Sequence, residues 1–262
     1  MQYERMKAFK IFQLMAVMMI MSLAIVSCSK EQNPETLNDI AYDVNAEYGY
    51  TVYIEEEAGY QPYLVLTNNY EDTKNVLLLR EHVLDELQPY NDQQYGTSYY
   101  ENSYIDQYLN KVYIELLSKS IQDNIIGTNI LILDGATYSA IKDGAEAKSI
   151  NRKAFLLSFA EISEIAKNRE VFDGEILKYF NENREKLVAE SSGGKPVVWM
   201  LRSPSLVYPT TSIAVATDGG IGLGGVVEGL RGVRPAFCLD RNTKIIEDST
   251  IGKGEEVYIL RL

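Results

Sequence analysis

One imidazole and two thiols set the nucleophilic chemistry open to this 262-residue chain: His82, Cys28 and Cys238. A Cys-His pair needs contact in space and an accessible thiol in an electropositive setting. Cys238 instead lies in Ala236-Phe237-Cys238-Leu239, an apolar run where a reduced cysteine packs as a small hydrophobe. His82 follows Arg80-Glu81 at the end of an expected strand. The sequence therefore gives Cys238 a packing role. No serine stands in a Gly-x-Ser-x-Gly elbow, so a Ser-His-Asp hydrolase lacks its usual mark. Carboxylates are plentiful, but abundance supplies no pairing geometry and locates no glycosidase dyad. With one histidine, one remaining thiol and no close Asp/His or Cys/His spacing, zinc lacks its ligands. A carboxylate calcium site stays open without a motif. No metal or cofactor is expected.

A more specific signal is a set of arginines beside apolar residues: Arg80 and Glu81 in Leu78-Leu79-Arg80-Glu81, Arg202 and Ser203 after Trp199-Met200-Leu201, and Arg234 in Gly232-Val233-Arg234-Pro235. A partly buried guanidinium carries five donors that must find carboxylates or carbonyls. Two readings follow. The arginines pin strand ends and loops together, or one of them reads a carboxylate on a ligand. Gly220-Ile221-Gly222-Leu223-Gly224-Gly225 spells a G-x-G-x-x-G. That motif holds phosphate only where a helix opens behind it, and Val226, Val227, Gly229 and Pro235 leave no room for one. Asp218-Gly219-Gly220 reads instead as a mobile connection between C-terminal strands.

Cys28 belongs to other chemistry. Arg5, Lys7 and Lys10 precede an apolar run from Ile11 to Val26, and small Ser27 stands before the cysteine. Sixteen residues fall short of the ~20 that a transmembrane helix needs. The run Leu23-Ala24-Ile25-Val26-Ser27-Cys28 resembles the lipobox of bacterial lipoproteins. The resemblance implies cleavage after Ser27, lipidation of Cys28 with palmitate-type chains, and anchorage in the bacterial cell envelope, at the outer membrane or surface if the cell is Gram-negative. Met6 would serve as a start codon as well as Met1.

Lys and Arg number 25 against 37 Asp and Glu, a net charge of −12. Residues 1–27 remove three basic groups and one acidic group, which leaves −14 on the mature chain. An acidic chain without a basic stripe is repelled by phosphate backbones and anionic head groups, so nucleic-acid partners are excluded and the lipid carries the membrane contact. With Cys28 acylated, Cys238 has no disulfide partner, so stability must come from a core.

The chain divides into a signal peptide (1–27), a lipidated, flexible polar tether (28–47) and one globular domain (48–262) starting near Tyr48. Thr51–Ile54 and Pro62–Leu66 make a hairpin candidate, and Val76–Arg80 reads as a strand buried on both faces. Ser103 caps a helix whose stripe is Ile105, Leu109, Val112 and Leu116. Ile130–Leu133 reads as a strand. Ser158 with Glu161 forms a second capping box ahead of Ile162 and Ile165, and a third helix is expected over Glu175–Glu190, ended by Ser191-Ser192-Gly193-Gly194. Strands follow at Val197–Leu201, Ser212–Thr217, Val233–Leu239 and Glu256–Leu262. Small antiparallel sheets around a helical middle make the fold class α+β. Tyrosines crowd Tyr42 to Tyr113, suited either to glycan or protein surfaces or to the boundary of a core.

In their order, Leu77-Leu78-Leu79-Arg80-Glu81, Phe155-Leu156-Leu157-Ser158 with Glu161, Trp199 to Pro204, Asp218-Gly219 and Gly232 to Phe237 resemble a bacterial family catalogued as a domain of unknown function, whose members are secreted or surface-attached. That resemblance covers most of 48–240 and brings no catalytic residue. Trp199, Arg202-Ser203, Asp218-Gly219 and Gly232-Val233-Arg234 are also distantly similar to the C-type-lectin-like domains of formylglycine-generating enzymes. This likeness implies a compact α+β fold with long loops. The oxidase chemistry of that group uses paired cysteines, which this chain lacks once Cys28 is lipidated. The sequence thus describes a lipid-anchored envelope protein whose domain binds a glycan or protein ligand without catalysis. Its rivals are an envelope hydrolase working through carboxylates and a structural subunit of a surface assembly. Candidate structural or ligand-binding residues are Arg80, Glu81, Glu161, Trp199, Arg202, Ser203, Asp218 and Arg234.

Overall fold

Alternation along Thr51–Glu56 turns Val52, Ile54 and Glu56 inward and leaves Thr51, Tyr53 and Glu55 toward the surface. The third inward place thus falls to a carboxylate, and the fold must answer it. The computed structural model describes residues 33–46, 49–91, 97–133, 146–168, 171–181, 183–227, 229–252, 254 and 257–262. Signal residues 1–27, Cys28 and Tyr48 lie outside the described residues.

The strands are β1 (Thr51–Glu56), β2 (Gly59–Thr67), β3 (Asn75–Arg80), β4 (Thr128–Leu133), β5 (Ala147–Arg152), β6 (Ala154–Phe155), β7 (Ala189–Glu190), β8 (Pro196–Val197), β9 (Trp199–Pro204), β10 (Thr211–Val215), β11 (Ile221–Gly225), β12 (Ala236–Asp240), β13 (Lys244–Asp248) and β14 (Val257–Arg261). Seven of them form one sheet in the order β13-β14-β1-β2-β3-β12-β6, with β1 parallel to β14 and the other pairs antiparallel. Smaller antiparallel groups are β11-β10-β9, β4-β5 and β7-β8. Short helices at 104–108, 114–116, 119–124, 159–162 and 165–168 fill the middle. The α+β class is as expected.

β3 sits inside the large sheet, and its residues from Val76 to Arg80 are all buried, as a continuous apolar run requires. Cys238 lies opposite Leu77 in β12, fully buried, and burial pushes its thiol up to about 12. The hairpin of β1 and β2 is present. The tyrosines divide toward the core: Tyr63, Tyr90, Tyr100 and Tyr113 are at most 1% exposed, with hydroxyls bonded inside the protein.

Four expectations need correction. The tether is not free along its whole length, because Pro34–Leu262 is one compact unit. Leu37, Ile40 and Ala41 are fully buried, and the backbone of Leu37 and Asn38 bonds to Thr243 and Arg241. The few apolar residues between the polar ones dock on the start of β13.

The helix capped by Ser103, whose side chain accepts from the Asp106 amide, passes into a π turn at Leu109–Tyr113. The wider turn holds residues four apart on one face, so Ile105, Leu109, Tyr113 and Leu117 are buried while Val112 is 47% exposed. The expected stripe is therefore right in its first half only.

Glu175–Glu190 is not a helix. It forms 3-10 turns at Lys178–Phe180 and Arg184–Leu187, then β7. Asn183 is extended and its side chain accepts from the Glu185 amide, a local bond that competes with a continuous helix. Ser191–Gly194 then turns β7 into β8. Of the two isoleucines that follow the Ser158–Glu161 capping box, Ile162 is buried and Ile165 is 53% exposed.

Asp218-Gly219-Gly220 is the tight turn of the β10-β11 hairpin, and Gly222 to Gly225 continue as strand. Gly219 has φ +76°, and a Cβ there would come within 2.5 Å of the Arg184 carbonyl.

Candidate functional site

Two of the three arginine motifs carry the structural role. Inward-facing Glu56 meets Arg80, which lies opposite Tyr63 across β2 and β3. Arg80 Nε donates to Glu56 at 2.8 Å and Nη1 to the His82 and Val83 carbonyls, while the Tyr63 hydroxyl also donates to Glu56. Arg202 is the more complete case. Its Nη1 and Nη2 take the two oxygens of Glu161 at 2.8 and 2.7 Å, and its remaining donors reach the carbonyls of Leu131, Leu156 and Asp173.

Glu161 owes its place to the capping box with Ser158, and it accepts the Ser158 amide and the Tyr70 hydroxyl as well. Ser203, next to Arg202, donates to Asp173 and accepts from the Phe159 amide. Gly174, at φ +156°, lets this chain segment approach closely: a Cβ would meet Glu161 Cγ at 2.7 Å. Burial works against the charge of Arg202, but Glu161, with Tyr70 and Asp173 behind it, holds the guanidinium above its ordinary range. The five donors of Arg202 and both oxygens of Glu161 are committed to the fold.

Arg234 is different: of the carboxylates and carbonyls expected for its donors, it finds a single carbonyl among the described residues. It is 2% exposed, its Nε donates to the Arg80 carbonyl at 3.1 Å, and its guanidinium lies 4.9 Å from the centre of the Trp199 ring. Among the described residues no carboxylate pairs with it, and its Nη1 has no acceptor. Burial pushes its pKa down to about 10, opposed only by Tyr179 and Glu81. Trp199 is itself fully buried and donates its indole N–H to the Leu187 carbonyl, so the ring is a fixed platform.

Arg234 is among the residues that line a cleft of about 330 Å³ at the end of β3 and the start of β12. Glu81 and His82 follow β3 directly. Glu190 comes from β7, whose carbonyl takes the Val83 amide, and Tyr179, Glu185 and Lys186 come from the 3-10 turns. Lys186 Nζ is held aside: it donates to the Tyr42 hydroxyl at 2.6 Å and lies 4.2 and 4.7 Å from the ring centres of Tyr42 and Tyr179. Tyr42, Tyr50 and Tyr179 meet edge to face around it. A larger groove of about 590 Å³ runs between Phe159, Phe180 and Gly219–Ile221, but none of the buried polar atoms left without a partner belongs to its lining.

Of the residues singled out from sequence, the fold gathers Glu81, Trp199 and Arg234 at the cleft and Glu161, Arg202 and Ser203 at the closed centre. Arg80 pairs with Glu56, and its carbonyl accepts from Arg234. Asp218 is elsewhere, on an exposed hairpin turn where it pairs with Arg184 at 2.8 Å. Sequence reasoning missed Tyr179, Glu185, Lys186 and Glu190, because it assigned them to a helix. It also missed Glu56, whose only signal was the third place in an alternating strand.

A family model described as Domain of unknown function (DUF6273) matches residues 73–241, which include Arg80, Glu161, Arg202 and Arg234. No curated protein and no solved structure matches the chain.

Proposed function

The chain belongs to the family described as Domain of unknown function (DUF6273), and we propose that it is a lipid-anchored cell-envelope protein whose domain binds a glycan or protein ligand without catalysis. One observation carries the binding reading: a buried guanidinium with unfilled donors stands at a cleft, in a fold that fills the donors of Arg80 and Arg202. A buried cation without an anion is costly, and a ligand that supplies the anion recovers that cost on binding. The carboxylates that the fold buries, Glu56, Asp106, Glu161 and Asp173, are bound by arginines or hydroxyls, which favours binding over hydrolysis for this chain.

Anchorage rests on Ile25-Val26-Ser27-Cys28 and on the basic, then apolar, stretch before it. The likeness to C-type-lectin-like domains is part of the same proposal and rests on the order of Trp199, Arg202-Ser203 and Gly232-Val233-Arg234.

Two measurements test it. Labelling cells with a radioactive fatty acid should mark the wild-type chain and not Cys28→Ala; label on the variant would end the lipoprotein reading. Surface plasmon resonance of the full acylated chain against cell-wall oligosaccharides and peptides should give saturable binding that drops about tenfold in Arg234→Lys, the loss of one charge-assisted contact. Equal binding by both proteins would remove Arg234 from the site.

A further inference from the structure

We propose that the cleft at Arg234 takes a small zwitterion, a free amino acid or a short peptide carrying both its carboxylate and its ammonium; this deepens the binding reading above and rests on it.

Arg234 exposes only 2% of its surface, so a bulky group cannot embrace it. A carboxylate is the compact, planar anion that a guanidinium pairs with. The Trp199 ring and the Arg80 carbonyl hold the plane of the guanidinium, and Nη1 has no acceptor among the described residues. A planar anion is the matching partner.

Charge then decides what else the ligand must carry. Three carboxylates, Glu81, Glu185 and Glu190, stand on the same cleft wall against two fixed cations, Arg234 and Lys186. Lys186 is already engaged by Tyr42 and by two aromatic rings. A simple anion such as a uronate would gain Arg234 and meet the three glutamates as like charges. A simple cation would gain the glutamates and leave Arg234 buried and unpaired. A molecule with both charges a few bonds apart can meet Arg234 and a glutamate of the same cleft together, and its charges offset each other's repulsions. The volume of about 330 Å³ suits a ligand of that size.

The test is equilibrium dialysis of the full acylated chain with radiolabelled alanine and with glycylglycine, alongside acetyl-alanine, alaninamide and glucuronate. At least one of alanine and glycylglycine should bind saturably. Acetyl-alanine, which lacks the ammonium, and alaninamide, which lacks the carboxylate, should each bind about tenfold more weakly or worse. Arg234→Met should abolish binding. Because a buried substitution can disturb folding, the exposed Glu190→Gln provides an independent measure and should weaken the zwitterion while leaving acetyl-alanine unchanged. Binding of glucuronate or acetyl-alanine as tight as alanine, lost in Arg234→Met, would overturn the zwitterion and keep the site. No Arg234-dependent binding of any probe would overturn the zwitterion, and binding of every oligosaccharide and peptide indifferent to Arg234 would overturn the site itself.

Discussion

Arg202 and Arg234 lie in the same domain, both nearly devoid of solvent contact, and they have opposite surroundings. Arg202 places all its donors on Glu161 and on three carbonyls, and Glu161 in turn is filled by Ser158 and Tyr70. Among the described residues, Arg234 finds one carbonyl and an aromatic face. In the first region the neighbours raise the pKa of the guanidinium despite burial; in the second, burial lowers it. The contrast teaches that burial of an arginine does not by itself reveal its role. What separates a structural cation from a recognition cation is whether the fold supplies the anion.

Four predictions would break or sharpen the contrast, in order of size. Arg202→Ala strands Glu161 in a fully buried site and should cost about 3 to 5 kcal/mol in urea denaturation. A variant as stable as wild type would remove the distinction at once. Cys238→Ser, between the two arginines in size of effect, should lose about 1 to 3 kcal/mol because the hydroxyl enters an apolar place in β12. The native thiol, pushed up to about 12, should resist iodoacetamide at neutral pH and react after denaturation; fast native alkylation would reopen nucleophilic chemistry.

Arg234→Met should behave unlike Arg202→Ala. It removes an unpaired buried charge and one carbonyl bond, and leaves an apolar chain on Trp199, so stability should change by no more than about 1 kcal/mol in either direction. A loss as large as that of Arg202→Ala would mean that Arg234 too is structural. Asp218→Ala should leave the thermal midpoint unchanged, since its pair with Arg184 is open to solvent. The Gly220 amide, and then Arg184, hold the Asp218 carboxyl below its ordinary value. Its small contribution is therefore present above the ordinary carboxylate range and lost as pH falls through the lower folded value. Carbon NMR of that carboxyl checks the direction, and a midpoint at or above the ordinary value would contradict it.

Much of the fold was legible because it is local. Ser103 with Asp106 and Ser158 with Glu161 are short-range caps, and both form. The β1-β2 hairpin and the buried β3 follow from strand alternation and an apolar run. The reading failed where one local bond changed the period. A π turn at Leu109–Tyr113 moved the buried face onto Tyr113 and Leu117, and the Asn183 side chain broke what looked like a helix up to Glu190. The same failure hid half of the cleft, since Tyr179, Glu185, Lys186 and Glu190 could be placed together only once that helix was gone. The docking of Leu37 and Ile40 beside β13 was hidden for another reason: a few apolar residues in a polar stretch have no visible partner until residues some two hundred positions away are brought to them.

By itself the sequence determined the class of the fold, the packing role of Cys238 and the short list of arginines on which the chemistry turns, because residue type and near-neighbour spacing govern strand alternation, capping and burial. Only the tertiary structure decided that Arg234, unlike Arg80 and Arg202, receives no carboxylate among the described residues. Glu56 reaches Arg80 across two strand pairings, and Glu161 reaches Arg202 from forty-one residues away, while nothing described in the chain brings a carboxylate onto Arg234. Pairing of buried charges depends on contacts between distant segments, and no local pattern in the chain records them.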